Sequence, residues 1–445
     1  MRLLQGSIRG YAWGSRTAIA TLQGRPVPTP EPEAELWLGA HPSAPALVRD
    51  GLAGDGAAGR PLTDIIAADP AGVLGDETVA QFGQRLPFLL KVLAAAQPLS
   101  LQAHPDLDQA RAGFAAEQAA GADPSARNYV DDWHKPELLV AVEPFDALCG
   151  FRDPSISADL LGALDLPALR PAVAALRAAD PATGLRDAVH GLLTLPAEDL
   201  PALVDLVAER AADLLAARAV DGAAVDGAAV DCAAVDGAAV DGAAVDGAAV
   251  DGAAVDAVAH ASYRLVTELA QRYPGDAGVL VAMLLNRVTL QPGEAVWMPA
   301  GNLHAYLAGV GVEIMAASDN VLRGGLTPKH VDVAELLRIL RFEVLDTPVL
   351  RPTASGPGVV TWPVPVADFT LHRAAVAGDA PVRLPGGGPR ILLCLRGSVQ
   401  ADDGAGSVLL HGGQAAFAPA SAGPIEVRVN DSAGTAEVYQ AGTGT

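Results

Sequence analysis

The stretch LPFLLKVLAAAQPLSLQAHPD, residues 86–106, decides how the rest of the chain is read. It opens as a near-continuous apolar run, breaks at Gln97-Pro98, and closes as the alternating segment Leu99-Ser100-Leu101-Gln102-Ala103-His104. On a strand, residues two apart share a face, so Ser100, Gln102 and His104 line one surface while Leu99, Leu101 and Ala103 face the other way. Pro105 discourages further pairing. A polar strand face is ordinarily a solvent face. Here, though, Lys91 is the lone ionisable side chain from Leu86 to Ala103, which predicts a wall inside the protein. A buried polar row needs partners, and a metal ion with its substrate would supply them.

Working outward, the next chemical block is WHKPELLVAV, 133–142. Past Pro136 it reads as a strand, with Lys135 and Glu137 on one face and His134 on the other. A solvated Lys–Glu pair is worth little. At the head of a buried apolar strand, a functional pair is as good a reading as a structural one. A third block, NRVTLQPGEAVWMPAGNLHAY, 286–306, sets two strands around a Pro-Gly turn. A second turn, Pro-Ala-Gly, then delivers His304 with Tyr306 beside it, the cadence of a cupin-type β-barrel. The fourth block, 311–338, contains Glu313 and SDNVLRGGLTPK, 318–329, and ends in a helix predicted over 332–340.

The chain has 445 residues, half of them apolar, and a formal charge of −22. That length predicts two to four domains, and that charge argues against a nucleic-acid partner. Cys149, Cys232 and Cys394 form neither a disulfide framework nor a CxxC zinc site. The N-terminus turns polar too early for a signal peptide, and no apolar run is long enough for a membrane span. A cytoplasmic protein, monomeric and without membrane or nucleic-acid partners, is expected. Of 30 basic residues only Lys91, Lys135 and Lys329 are lysine, and each falls in one of the blocks above. Lysine offers a compact, readily shifted charge that arginine does not.

Further helices are predicted over 62–68, 106–118 and 257–273, with a helical insertion from 155 to 220. Residues 219–256 repeat Ala-Val-Asp-Gly-Ala with period five, and Cys232 replaces one glycine. Val, Gly and Ala bury too little area to offset ordering entropy, and no ligand cluster resembles a calcium loop. The repeat therefore reads as a low-complexity linker. Residues 345–445 repeat the strand-and-turn cadence with only His372 and His411, which predicts a second, metal-free barrel. His41, His190, His260 and His330 lack partner motifs and read as structural.

With four blocks in register, together with YAWGS and ELWLGAHPS near the start, the chain resembles the type I phosphomannose isomerases. The resemblance implies a mainly β fold with an α insertion: a bicupin of two jelly-roll β-barrels plus a helical domain. It divides the chain into a catalytic barrel (1–152 and 274–342), a helical insertion (153–273) and a C-terminal barrel (343–445). It also implies one zinc ion per chain, held by Gln102, His104, Glu137 and His304. The implied substrates are the sugar phosphates mannose 6-phosphate and fructose 6-phosphate, interconverted through a cis-enediol. Arg323 would face the enediolate, and His134, Lys135, Asp319 and Glu313 are the candidates for moving the proton, with Lys135 preferred. Ser100, Lys91 and Lys329 would hold the phosphate, and Trp13 and Tyr306 would contact the sugar. A cupin oxidoreductase would more typically show H-x-H where this chain has Gln102-Ala103-His104. A non-catalytic sugar-binding bicupin is the other alternative.

Because the repeat lacks the means to build a core, deleting 222–251 should leave turnover intact. Steady-state assay of the shortened chain checks this, and a folded but inactive product would contradict it.

Overall fold

The computed structural model describes residues 1–49, 59–121, 123, 127–222, 252–430 and 434–444. Its first organising strand is Phe88–Ala95, in which all eight residues are buried. An apolar run with neighbours on both sides has no face to give to water. It lies between Glu35–Gly39 and His304–Ala316, antiparallel to both, in an eleven-stranded sheet. The chain breaks at Gln97-Pro98 and resumes as the short strand Leu101–Ala103, whose two apolar residues are fully buried.

The strand His304–Ala316 is the spine of this sheet. Its first residues pair with Phe145–Phe151 and with Gln102, and its later residues pair with Phe88–Ala95 and Glu137–Ala141. The change of partners coincides with a register shift between Tyr306 and Ala308. Gly309 follows at φ +127°, where a Cβ would lie 2.7 Å from the Phe145 ring and 2.8 Å from the Pro144 carbonyl. Only glycine fits that crossing. A one-residue shift also reverses which side chains face inward.

Residues Pro154–Ala163, Arg170–Leu176, Pro181–Leu193, Leu200–Gly222 and Gly252–Arg272 are helices. Their apolar faces share one buried cluster with Leu101, Ala103, Ala305 and Leu322, so the insertion packs against the back of the strand carrying Gln102. The repeat predicted to be a linker lies outside the described residues from 223 to 251. The helix Leu107–Ala120 begins at a capping box in which Asp106 and Gln109 satisfy each other's backbone N–H groups. The helix Leu62–Ala68 matches its predicted span, and Val333–Ile339 lies between Asp332 and Leu340 as its caps. Among the described residues, no helix is long and apolar enough to cross a membrane.

The C-terminal strands form a nine-stranded sheet and a four-stranded sheet that enclose a separate core. The nine-stranded sheet also takes in Arg2–Gln5, Leu47–Arg49 and Arg60–Pro61. Arg2 lies opposite Phe417 and Leu4 opposite Ala415. Strands near the N-terminus thus join both sheets, since Ser7–Arg9 and Glu35–Gly39 belong to the eleven-stranded one. Strand patterning states that a segment pairs, not with what. Strand pairing among the described residues traces open paths and closes no ring, so the architecture is β-rich with a helical insertion.

Phe417 is 1% exposed and packs with Leu4, Ile391 and Tyr439 in the core between the two units. Phe417→Ala should destabilise the fold by about 3–5 kcal/mol, read as an earlier unfolding transition in urea. Leu409→Ala, at a position 36% exposed, should change stability by less than about 0.5 kcal/mol.

Candidate metal centre and active-site cavity

Three side chains from three strands meet at one buried point. His104 ends the segment after Leu101–Ala103, Glu137 begins Glu137–Ala141, and His304 begins His304–Ala316. Their ligating atoms all lie within 4.8 Å of one another. His104 Nε2 is 3.4 Å from Glu137 Oε1, and His304 Nε2 is 3.2 Å from Glu137 Oε2. Each imidazole is turned by its other nitrogen, since Nδ1–H of His104 donates to the Asn320 carbonyl at 2.7 Å and that of His304 to the Asn302 carbonyl at 3.0 Å. A backbone carbonyl can only accept, so both Nε2 atoms present lone pairs to the centre.

The donor set fits a divalent cation. His104 Nε2 is buried without a hydrogen-bond partner, an arrangement that a cation relieves and an empty core does not. Burial pushes the His104 imidazole down to about 4, keeping it neutral and able to ligate. Burial alone would raise the Glu137 carboxyl, but the Lys135 charge is the largest influence against it, and Glu137 lies well below the usual carboxylate range. Lys135 Nζ sits 3.0 Å from Glu137 Oε1. Gln102 lies opposite both His304 and Arg323 in the sheet, and its Nε2 donates to Ser100 Oγ at 3.3 Å. Gln102 itself lines the cavity.

The centre forms one wall of a cavity of about 670 Å³. Trp13, Lys91, Ser100, Gln102, Lys135, Glu137, His304, Tyr306, Glu313, Asp319, Arg323 and Lys329 all line it. The residues singled out in the sequence are therefore brought together, apart from His134 and His104. The His104 ring is 1% exposed, behind the wall.

His134 faces away from the cavity. Its Nε2 lies 3.0 Å from Asp368, a buried carboxylate that also accepts the Trp133 indole N–H at 2.9 Å. His134, named above among the candidates for moving the proton, does not line the cavity; it ties the segment before Glu137 to the C-terminal unit. Lys91 is 5% exposed, so its stem does not reach solvent. Its Nζ lies 3.1 Å from Glu313 and 3.5 Å from Glu35. Burial disfavours its charge, but Glu313 and Glu35 together raise its pKa above the ordinary lysine value. Burial, with Glu137 and Glu35 nearby, raises the Glu313 carboxyl despite Lys91, and Tyr306 donates its hydroxyl to Glu313 at 2.8 Å.

Arg323 and Lys329 sit nearer the mouth. Burial lowers Arg323, and burial with the neighbouring Arg323 charge lowers Lys329. Trp13 is half-buried at the opening, with Tyr11 stacked on it at 5.6 Å. The sequence reading missed Glu35, Trp37 and Asn320 and took His41 as merely structural. Glu35 had a signal, being a carboxylate at the head of an apolar strand; all five residues of Glu35–Gly39 are buried. Asn320 is fully buried and binds the backbone of 130–133 through its amide while its carbonyl holds His104. His260 and His330 are exposed and outside the cavity.

Residues 1–154 match the family model described as phosphomannose isomerase type I, catalytic domain. The mannose-6-phosphate isomerase of Escherichia coli strain K12 is 36% identical over 434 residues, covering 96% of this chain and 97% of that one. Mannose-6-phosphate isomerase 2 of Arabidopsis thaliana is 30% identical, with 98% and 92% covered. Among solved structures, a mannose 6-phosphate isomerase bound with zinc and yttrium superposes with a TM-score of 0.78 at 32% identity, covering 100% of both chains. With near full-length identity at this level, the chain belongs to the type I phosphomannose isomerase family.

Proposed function

We propose that this protein is a cytoplasmic, monomeric, zinc-dependent isomerase that interconverts mannose 6-phosphate and fructose 6-phosphate through a cis-enediol. The observation that carries the reading is the buried His104–Glu137–His304 cluster in the wall of a cavity that also presents Lys135 and Arg323. Gln102, through its amide oxygen, is the fourth protein ligand in this reading. Two imidazoles, a carboxylate and an amide oxygen suit zinc, with a position left for substrate. Bound there, zinc would supply Lewis acidity toward the sugar oxygens at C1 and C2. The two β units correspond in this proposal to jelly rolls of the cupin type, the C-terminal one metal-free.

The chain's own groups account for the remaining chemistry. Isomerisation removes a proton from one of the two carbons and returns it to the other, leaving negative charge on oxygen between the steps. Lys135 is the proposed proton carrier; Asp319 and Glu313 line the same cavity and complete the hydrogen-bonded surface. The Arg323 guanidinium is a fixed positive group for the enediolate oxygen. Ser100 and Lys329 would hold the phosphate, with Lys91 deeper; Lys91 could reach it only by loosening from Glu35 or Glu313. Trp13 would give the sugar an apolar wall, and Tyr306, fixed on Glu313, would close the far side.

Incubation with fructose 6-phosphate tests the reading. Mannose 6-phosphate should appear, cease to appear after chelation, and return when zinc is restored; full activity in metal-free protein would refute the metal's role. Oxygen uptake would instead favour oxidoreductase chemistry. Arg323→Ala should lower kcat by about 10²–10³-fold, whereas a passive sugar-binding protein would have no turnover to lose. Lys329→Ala should act mainly on KM.

A further inference from the structure

His41 lies in the turn after Glu35–Gly39, with its ring 5% exposed and the Trp37 ring edge-on at 4.8 Å. The Ser43 backbone N–H reaches Nδ1 at 3.3 Å, and Ser43 Oγ lies 2.9 Å from the same atom. A backbone N–H can only donate, so Nδ1 is the bare nitrogen and Nε2 carries the hydrogen. That Nε2–H faces Asp319 Oδ2 at 3.3 Å. The backbone N–H of Asp319 is held in turn by Asp131 Oδ2 at 2.8 Å. Asp319 thus enters the cavity with its main chain and one carboxylate oxygen both fixed. Oδ1 has no protein partner among the described residues, and the side chain is 41% exposed toward the opening.

We infer that His41 is a positioning residue: through its Nε2–H it aims Asp319 so that Oδ1 accepts a hydrogen bond from a hydroxyl of the open-chain sugar phosphate. The inference rests on the isomerase reading of the cavity. An aspartate at a cavity edge turns about two side-chain bonds, and one wrong rotamer removes its acceptor from the substrate. A donor built into the wall settles that choice before substrate arrives. Ser43 settles which nitrogen donates, so a short run of sequence, His41-Pro42-Ser43, carries the whole device. Burial works against the charged carboxylate, while His41, Lys135 and Lys91 favour it; the net pKa lies below the ordinary aspartate value.

The test uses the zinc-loaded full chain with fructose 6-phosphate as substrate. His41→Phe keeps a ring against Trp37 but has no N–H, and should lower kcat by about 10–100-fold, the loss expected for one hydrogen bond to a charged group. KM should move much less. His41→Gln restores an N–H where Nε2 stood and should recover most of the rate. His41→Phe combined with Asp319→Asn should be no slower than Asp319→Asn alone. Nitrogen NMR of the wild-type protein should show His41 protonated at Nε2 and bare at Nδ1, a readout that does not depend on any variant folding. The inference falls if His41→Phe turns over at the wild-type rate, if Phe and Gln are equally impaired, if the two losses multiply, if Asp319→Asn is fully active, or if Nδ1 is protonated. Absent wild-type turnover would remove the isomerase reading itself; normal wild-type turnover with an unaffected His41→Phe removes only this inference.

Discussion

A carboxylate taken out of water must be met by positive charge or by hydrogen-bond donors, and Glu137 is 4% exposed. Much of the catalytic unit can be read as the answer to that requirement. Lys135 stands two residues away on the same strand face, and two imidazoles approach from other strands. Each imidazole turns its Nδ1 to a backbone carbonyl, on the side away from Glu137. Deeper in, Glu35 and Glu313 flank Lys91. Three buried carboxylates against two buried ammonium groups leave one negative charge over. A divalent cation between the imidazoles and Glu137 would also give the buried His104 Nε2 the partner that an ion-pair network alone does not.

The spine strand makes the arrangement possible. His304 and Tyr306 lie an even number of residues apart, but Glu313 has the opposite parity and would point away on an unbroken strand. The register shift between Tyr306 and Ala308, with Gly309 beside it, exchanges the faces. His304 and Glu313 then both reach the cavity. Lys91 lies directly opposite Glu313 in the register, so the same shift brings the lysine its partner. One irregularity in one strand therefore joins the metal centre to the charge network behind it.

This explains which parts were legible in the sequence. Alternation along Leu99–His104 and through Lys135–Glu137 is local, so the shared faces of Gln102 with His104 and of Lys135 with Glu137 could be read directly. The helices at 62–68 and 332–340 were equally legible, because caps and apolar spacing lie within a few residues of the elements they define. A β-bulge has no such signature, and neither does the partner of a strand. The pairing of Arg2–Gln5 with Gln414–Ala418, the grip of Asp368 on Trp133 and His134, and the reach of His41 to Asp319 are all long-range. In each case the residue type was visible and its partner, hundreds of positions away, was not.

The remaining tension is that an acidic chain is read as binding an anionic substrate. At physiological salt, charges farther apart than about 8 Å are largely screened from one another, so what a phosphate meets is set by the cavity mouth. There Arg323 and Lys329 stand close enough for one to depress the other's pKa, a mutual repulsion that an incoming dianion would relieve. The arginine is tied to the metal strand, because Arg323 lies opposite Gln102 in the sheet. The back of that strand rests on the helical insertion through Leu101 and Ala103. The insertion therefore has a mechanical part in the site although it supplies none of its ligands. It holds the strand that presents Gln102 beside His304 and Arg323, so the spacing between metal centre and Arg323 is set by packing.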